Sequence, residues 1–159
     1  MMTIRPMQAA DIAPIVAWML QIPLWQRYGF TAERGARLFN RAFAQGDLLR
    51  VADLADVPAC GFCRVVLNGA FARSPYLQLI GVHPDHAGLG IGAALLTAAE
   101  EAVRPNHREL FLLASDFNTG AQRFYQRQGY QHIGTIPGYV LPDVDEYLFW
   151  KRLSTPAES

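Results

Sequence analysis

Residues 76–96 decide the fold and read YLQLIGVHPDHAGLGIGAALL. The stretch from Tyr76 to Val82 has the apolar pattern of a strand, and the residues after Gly92 have the spacing of an amphipathic helix. A short turn and a glycine cluster, Gly88 to Gly92, join the two. This pattern predicts a strand, a glycine loop and a helix in succession.

The three glycines of this loop stand at alternate positions where the helix begins. Without Cβ atoms, the loop can turn its backbone N–H groups inward and let a pyrophosphate approach closely. The helix N-terminus adds a partial positive charge, so no basic side chain is strictly required. The alternative is a tight strand-to-helix connection, which rarely needs three glycines in this arrangement. The loop therefore favours a binding site for a phosphorylated ligand.

Two other nucleotide-binding loops compete with this interpretation. The run from Gly88 to Ala93 also satisfies the loose dinucleotide fingerprint of NAD(P)-binding domains. That fingerprint normally begins directly at the end of a strand, whereas residues 83–87 intervene here, and too little chain follows for a doubly wound fold. A Walker-type loop is excluded because no Gly-Lys-Ser/Thr follows the glycines.

Upstream of the loop, the patterns predict one strand, two helices and then more strands. A strand at Thr3–Arg5 precedes a helix capped by Asp11 and ending near Pro23, and a second helix is capped by Thr31 and closes at Gly46. An antiparallel meander follows. Its strands are Leu48–Ala52, Ala59–Leu67 and Tyr76–Val82, with turns at Asp56-Val57-Pro58 and Asn68-Gly69.

Downstream, Leu110–Ala114 reads as a central strand buried on both faces. Asn118 caps a short helix through Tyr125, and Gly129 takes the left-handed terminating position. The last two strands are predicted at Tyr130–Thr135 and Glu146–Leu153. The fold class is therefore α/β (α+β), a mixed and mostly antiparallel sheet flanked by helices. Its fourth and fifth strands are parallel, because a helix crosses between them, and splay apart at their ends.

The chain length and the net charge limit the classes of function that this protein can have. The 159 residues fit one domain, predicted at residues 1–153 with a flexible tail at 154–159. Lys plus Arg and Asp plus Glu number 14 each, so no net charge favours nucleic acid or an anionic membrane. No apolar stretch approaches the length of a membrane span or a signal core, which predicts a cytoplasmic protein.

No metal site is expected. Cys60 and Cys63 lie in a strand-like run, where side chains three apart point to opposite faces, and no second cysteine pair completes four zinc ligands. His83 and His86 share a turn that offers no further ligands.

Two separated segments resemble the GNAT superfamily of acyl-CoA N-acyltransferases. They are VHPDHAGLGIG at 82–92 and NTGAQRFYQRQGY at 118–130, and the resemblance covers nearly the whole chain. The family signature, Gln/Arg-x-x-Gly-x-Gly/Ala, places its glycines on Gly90 and Gly92. Its first position falls on Ala87, which removes a side-chain contact and leaves the backbone cradle intact.

The resemblance implies an N-acetyltransferase with acetyl-CoA as co-substrate and no metal. Asn118, with the backbone of Ile80 and Val82, should hold the pantetheine arm, and Tyr125 should protonate the CoA sulfur. The alternative for Tyr125 is a core residue beside Phe124. The loop residues expected to bind the pyrophosphate are Ala87, Gly88, Leu89, Gly90, Ile91, Gly92 and Ala93.

The general base and the acceptor stay open. The strands that carry a carboxylate in some relatives carry none here, so either water relays the proton or another residue serves. The candidates for that residue are Asp116, Asp145, Glu146 and His83. In this family, segments equivalent to residues 21–31 and 135–146 shape the acceptor pocket, which here would be partly aromatic through Trp25, Tyr28, Phe30 and Tyr139. The equally favoured alternative is that these aromatic residues belong to the core.

The expected acceptor is a primary amine of a small molecule, peptide or protein, which attacks the thioester directly in a ternary complex. A homodimer stays open. The alternatives are a non-catalytic acyl-CoA-binding or sensing module and, less favoured, an NAD(P)-binding oxidoreductase.

Overall fold

The computed structural model describes residues 1–154, so the predicted tail lies almost wholly outside the described residues. The strands are β1 Met2–Pro6, β2 Leu48–Leu54, β3 Val57–Ala70, β4 Ser74–Val82, β5 Glu109–Ser115, β6 Gln131–Ile136 and β7 Glu146–Arg152. The helices are α1 Ile12–Met19, α2 Pro23–Arg27, α3 Ala32–Gln45, α4 Ile91–Val103 and α5 Thr119–Arg127. Short 3₁₀ turns occupy Ala9–Asp11 and Pro84–His86.

The seven strands form a mixed sheet in the order β1-β2-β3-β4-β5-β7-β6. The pairs β1–β2, β2–β3, β5–β7 and β6–β7 are antiparallel, and β4–β5 is parallel. The parallel pairing joins only Tyr76 to Phe111 and Leu77 to Leu112, while both strands run on to Val82 and Ser115. The predicted fold class, with its parallel and splayed fourth and fifth strands, is confirmed.

Contacts divide the chain into two compact units. The first comprises Met1–Val65 and Leu79–Ala99, and the second comprises Val66–Gln78 and the chain from Glu100 onward. The strands β3 and β4 and the helix α4 each contribute residues to both units.

In the first unit, the core is an aromatic cluster between the sheet and the N-terminal helices. The ring of Phe62 from β3 packs edge-on against Phe39 of α3 at 5.3 Å and lies 5.8 Å from Trp18 of α1. The indole N–H of Trp18 donates to the carbonyl of Ala59 at 3.0 Å, so this buried polar group is satisfied.

In the second unit, α5 packs its aromatic face on the sheet. Tyr125 lies 6.0 Å from Tyr130 and 6.0 Å from Phe149 of β7. Beside them, the buried Glu100 carboxylate accepts from the Tyr130 hydroxyl at 3.0 Å and from Lys151 Nζ at 2.8 Å. Each partner compensates part of the cost of burying this charge.

The helix ends follow the sequence closely where capping chemistry is explicit. Thr31 accepts from the N–H of Arg34, and Gly46 ends α3 in the left-handed region at φ 73°. Asn118 accepts from the N–H of Ala121, and Gly129 follows α5 at φ 92°. All four predicted boundaries are therefore confirmed.

Three local predictions were wrong. The Asp11 carboxylate does not cap α1, because it accepts instead from the N–H of Gln8 and from Arg5. Arg5 holds the pKa of the Asp11 carboxyl below its usual value. Pro23 begins α2 instead of ending α1, which already stops at Met19.

The third correction concerns the turn predicted at Asn68-Gly69. Strand β3 continues to Ala70, and the chain reverses through Phe71 and Ala72, which both have positive φ angles of 58° and 54°. Non-glycine residues rarely adopt this conformation, so no residue pattern indicated a turn at this position.

A buried ion pair in the first unit gives a stability test. Arg64 Nη2 lies 2.7 Å from Asp47 Oδ2, with side-chain exposures of 7% and 5%. Asp47→Ala leaves the guanidinium buried without its carboxylate, so the free energy of unfolding should fall by about 3–5 kcal/mol in urea titrations. The double variant Asp47→Leu/Arg64→Met removes both charges and should lose less. Equal losses in the two proteins would contradict this interpretation.

Candidate functional site

The glycine loop lies between the 3₁₀ turn and α4. Gly88 and Gly90 have φ angles of 79° and 80°, and a Cβ at either position would meet no atom within 4 Å. These residues are exposed, as is Leu89 between them. The first helical hydrogen bond of α4 runs from Ala94 N to Gly90 O at 3.1 Å. The backbone N–H groups just before Ala94 therefore have no acceptor within the helix.

Another glycine, which lies outside the loop and was not among the predicted site residues, brings α4 close to the sheet. A Cβ on Gly61 of β3 would lie 2.7 Å from Ile91 and 3.0 Å from Leu95. These separations are shorter than side chains tolerate, so only glycine permits the approach. Ile91 is 1% exposed, and its burial here anchors the first residue of α4. A glycine inside a strand was the signal available in the sequence.

The end of β4 is fixed by backbone and aromatic contacts. The N–H of His83 donates to the carbonyl of Cys60 at 2.8 Å, and the His83 ring lies 5.8 Å from Trp18. His83 Nδ1 accepts from the N–H of Asp85 at 3.1 Å, which stabilises the turn. The predicted pantetheine contacts Ile80 and Val82 lie on this strand segment and are partly exposed. Ala87 follows the turn in extended conformation.

The second set of predicted residues lies on α5. The Asn118 side-chain oxygen accepts from Ala121 N at 3.2 Å, and the Asn118 N–H donates to the carbonyl of Ser115 at 3.0 Å. Tyr125 is 7% exposed, and burial raises the pKa of its phenol above its usual value, with Tyr76 adding to the rise. The phenol therefore stays protonated at neutral pH.

Two further groups surround Tyr76 of β4. Burial raises the pKa of Tyr76 to about 12, and the nearby Tyr139 and Glu146 contribute to that rise. Glu146 is 7% exposed at the start of β7, opposite Ser115 of β5. Tyr76 in turn contributes to the raised pKa of Tyr125, so these side chains of the second unit influence one another electrostatically.

Two of the carboxylates considered as general bases are engaged by the backbone. Asp116 Oδ2 accepts from the N–H of Asp145, and Asp145 Oδ1 accepts from the N–H of Gly138, both at 3.1 Å. This geometry favours a structural role for both side chains.

The cysteines are buried free thiols that point to different neighbours. Cys60 Sγ lies 3.3 Å from the carbonyl of Ala52 on β2, and Cys63 Sγ lies 4.0 Å from that of Leu95 on α4. Burial raises the pKa of Cys63 to about 12. Within residues 1–154, no three His, Cys, Asp or Glu side chains are grouped so as to hold a metal ion.

None of the helices in the described part of the chain is both long and apolar enough to cross a membrane.

Comparison with known proteins identifies relatives. The profile of the Acetyltransferase (GNAT) domain family matches residues 45–132, which is more than half of the chain. No curated protein sequence matches significantly.

Among solved structures, a GNAT-family protein from Desulfovibrio desulfuricans is 19% identical, with TM-score 0.81 over 97% of this chain and 100% of its own. YncA of Salmonella typhimurium, solved with acetyl-CoA, is 19% identical, with TM-score 0.76 over 99% and 98%. The ribosomal-protein-S18-alanine N-acetyltransferase of Escherichia coli is 18% identical, with TM-score 0.74 over 100% and 98%. At these identities the three structures show the fold.

A substitution at Gly90 tests whether the open loop binds the pyrophosphate of acetyl-CoA. Gly90→Val places a branched side chain where a pyrophosphate would approach the amides, so acetyl-CoA affinity measured by calorimetry should fall at least 100-fold. Gly46→Val is the matched control, because Gly46 has a similar φ of 73° and equally open space at the end of α3. The control should share the backbone strain and keep its affinity. Equal affinities in folded Gly90→Val and wild-type protein would contradict the site.

Proposed function

Since the chain belongs to the GNAT family of acetyltransferases, we propose that it transfers the acetyl group of acetyl-CoA to a primary amine of a small molecule or peptide. The amine attacks the thioester directly while both substrates are bound. The observation that carries the proposal is the open glycine loop at the start of α4, with Gly88 and Gly90 at positive φ.

The loop fits a CoA diphosphate on physical grounds. Its glycines leave free space where a Cβ would stand, and the loop ends at the N-terminus of a 13-residue helix. Backbone N–H groups and the helix dipole together favour an anion there. We therefore assign residues 87–93 to the pyrophosphate. The missing Gln or Arg at Ala87 leaves this backbone binding intact.

The pantetheine arm would be held by backbone groups of Ile80 and Val82 and by Asn118. The Asn118 side-chain oxygen already serves the helix cap. Its amide NH₂ is then the end that would donate to the arm. Bound acetyl-CoA supplies the activated acyl thioester.

Tyr125 is our candidate for the proton donor to the departing thiolate. A tyrosine phenol is protonated at neutral pH, and burial raises the pKa of Tyr125 further, so a proton is present for donation. Packing against Phe124 and Phe149 fixes the ring, so the hydroxyl is held in one place. Both the core role of the ring and the donor role of the hydroxyl are compatible with these contacts.

The acceptor is proposed to be a primary amine of a small molecule, peptide or protein. The loop 137–145 bears an exposed aromatic, Tyr139 at 60%, which offers a surface for the acceptor. The E. coli relative is named for alanine of ribosomal protein S18, and at 18% identity its substrate does not transfer to this chain. A cytoplasmic location remains a prediction from the sequence.

A ligand panel tests the proposal. Thermal shift measurements with acetyl-CoA, longer acyl-CoAs and NAD(P)H should show stabilisation by acyl-CoA alone, since a native-state ligand raises stability by linkage. Thiol release from acetyl-CoA is then measured with tyramine, spermidine, lysine and an alanine-initiated hexapeptide. Binding without turnover of any amine would point to a sensing module. Stabilisation by NAD(P)H instead of acyl-CoA would overturn the proposal.

Tyr125→Phe keeps the ring and removes the hydroxyl. With the best amine of the panel, kcat should fall about 100-fold while acetyl-CoA affinity is unchanged, as expected for losing a general acid. A drop of about tenfold fits the proposal if water takes over the donor position. The control is Tyr130→Phe, which removes another buried hydroxyl, the donor to Glu100, and should cost stability without lowering kcat. Wild-type kcat in Tyr125→Phe, where chemistry limits the rate, would contradict the assignment.

A further inference from the structure

The loop between β6 and β7, residues 137–145, exposes two large apolar side chains. Tyr139 is 60% exposed and Val140 is 56% exposed. Their backbone is nevertheless constrained. Gly138 has a φ of 53°, the N–H of Val144 donates to the carbonyl of Leu141 at 3.1 Å, and two prolines limit the chain on either side of the tip. Exposed apolar residues on a constrained loop are typical of a binding surface.

Asp145 closes this loop at its base. Its Oδ1 accepts from the N–H of Gly138 across the loop at 3.1 Å. Its own N–H donates to Asp116 Oδ2 at 3.1 Å, and its carbonyl accepts from the N–H of Asp116 at 2.9 Å. In two of these three bonds the acceptor is a side-chain carboxylate oxygen. We call the pair Asp116 and Asp145 the clasp.

The clasp continues into the turn that starts α5. The carbonyl of Asp116 accepts from Gln122 Nε2 at 3.1 Å, and the carbonyl of Ser115 accepts from the same group at 2.9 Å. Ser115 also accepts from the N–H of Asn118, which caps the helix that carries Tyr125. A continuous set of hydrogen bonds therefore joins the base of the loop, through Asp145 and Asp116, to the start of α5.

From this geometry we propose that Asp145 and Asp116 are positioning residues, which hold loop 137–145 in one conformation for the amine acceptor and fix it to the start of α5. The inference rests on the proposed function, because the loop needs an acceptor to position. A loop held in its binding conformation loses less entropy when the acceptor binds, so the clasp lowers the acceptor KM.

Variants at Asp145 separate positioning from mere stability. Asp145→Ala removes the acceptor for Gly138 N–H, and the acceptor KM for the best amine of the panel should rise about tenfold. Acetyl-CoA affinity should stay within twofold. Asp145→Asn keeps a side-chain oxygen for Gly138 N–H, so it should restore most of the wild-type KM. Glu101→Ala, at an exposed carboxylate on α4, is the control and should leave both constants unchanged.

The variant Asp116→Ala changes the clasp residue that is hydrogen-bonded to Gln122 of α5. It removes the bond to Asp145 N–H and should raise the acceptor KM as Asp145→Ala does. The two substitutions should be non-additive in the double variant, because they break one connected set of bonds. Additive effects on the acceptor KM would contradict a shared device.

Amide hydrogen exchange at Gly138 tests the clasp independently of turnover. Protection in the wild type that Asp145→Ala abolishes and Asp145→Asn retains would support it, even if no panel amine is acetylated and the proposed function fails. The proposal is overturned if wild-type Gly138 exchanges freely, or if Asp145→Ala keeps the wild-type acceptor KM. It is also overturned if the Ala and Asn variants are equally impaired, or if acetyl-CoA affinity falls in parallel with acceptor binding.

Discussion

Helix α4 can begin where it does because Gly61 on β3 has no side chain. A Cβ there would press into Ile91 at 2.7 Å and Leu95 at 3.0 Å, so any larger residue would push the helix away from the strand. The buried Ile91 then sets where the preceding glycine loop ends and which way the first amides of α4 face. A binding loop made of backbone groups depends on this kind of support, because it has no long side chains with which to adjust.

The second unit uses a different principle. Its aromatic core fixes α5, and the carboxylates of Glu100, Asp116 and Asp145 each bind donors from neighbouring segments. The Tyr125 ring belongs to this aromatic core, and burial raises the pKa of its hydroxyl. The packing of the Tyr125 ring stabilises the fold and also positions the hydroxyl proposed to donate a proton. The hydroxyl therefore has to be tested separately from the ring.

The sequence predicted those parts of the fold that local chemistry determines. The caps at Thr31 and Asn118 and the left-handed Gly46 and Gly129 followed from patterns within a few residues. The parallel fourth and fifth strands followed from the helix predicted between them. The wrong predictions came where the local sequence pattern did not decide the outcome. The Asp11 carboxylate does not cap α1 because it binds Arg5, and Arg5 also donates to Asp53 on β2. The Asp116–Asp145 contact joins residues 29 positions apart, which a single sequence does not reveal.

We propose that backbone amides at the start of α4 bind the diphosphate of acetyl-CoA. Amide NMR spectra of the ¹⁵N-labelled protein, titrated with acetyl-CoA and separately with S-acetylpantetheine, test it most directly, because the second ligand lacks the diphosphate. We expect the amides of residues 88–93 to shift strongly with acetyl-CoA and hardly at all with S-acetylpantetheine. Amides that stay unmoved by acetyl-CoA, or that shift equally with both ligands, would contradict it.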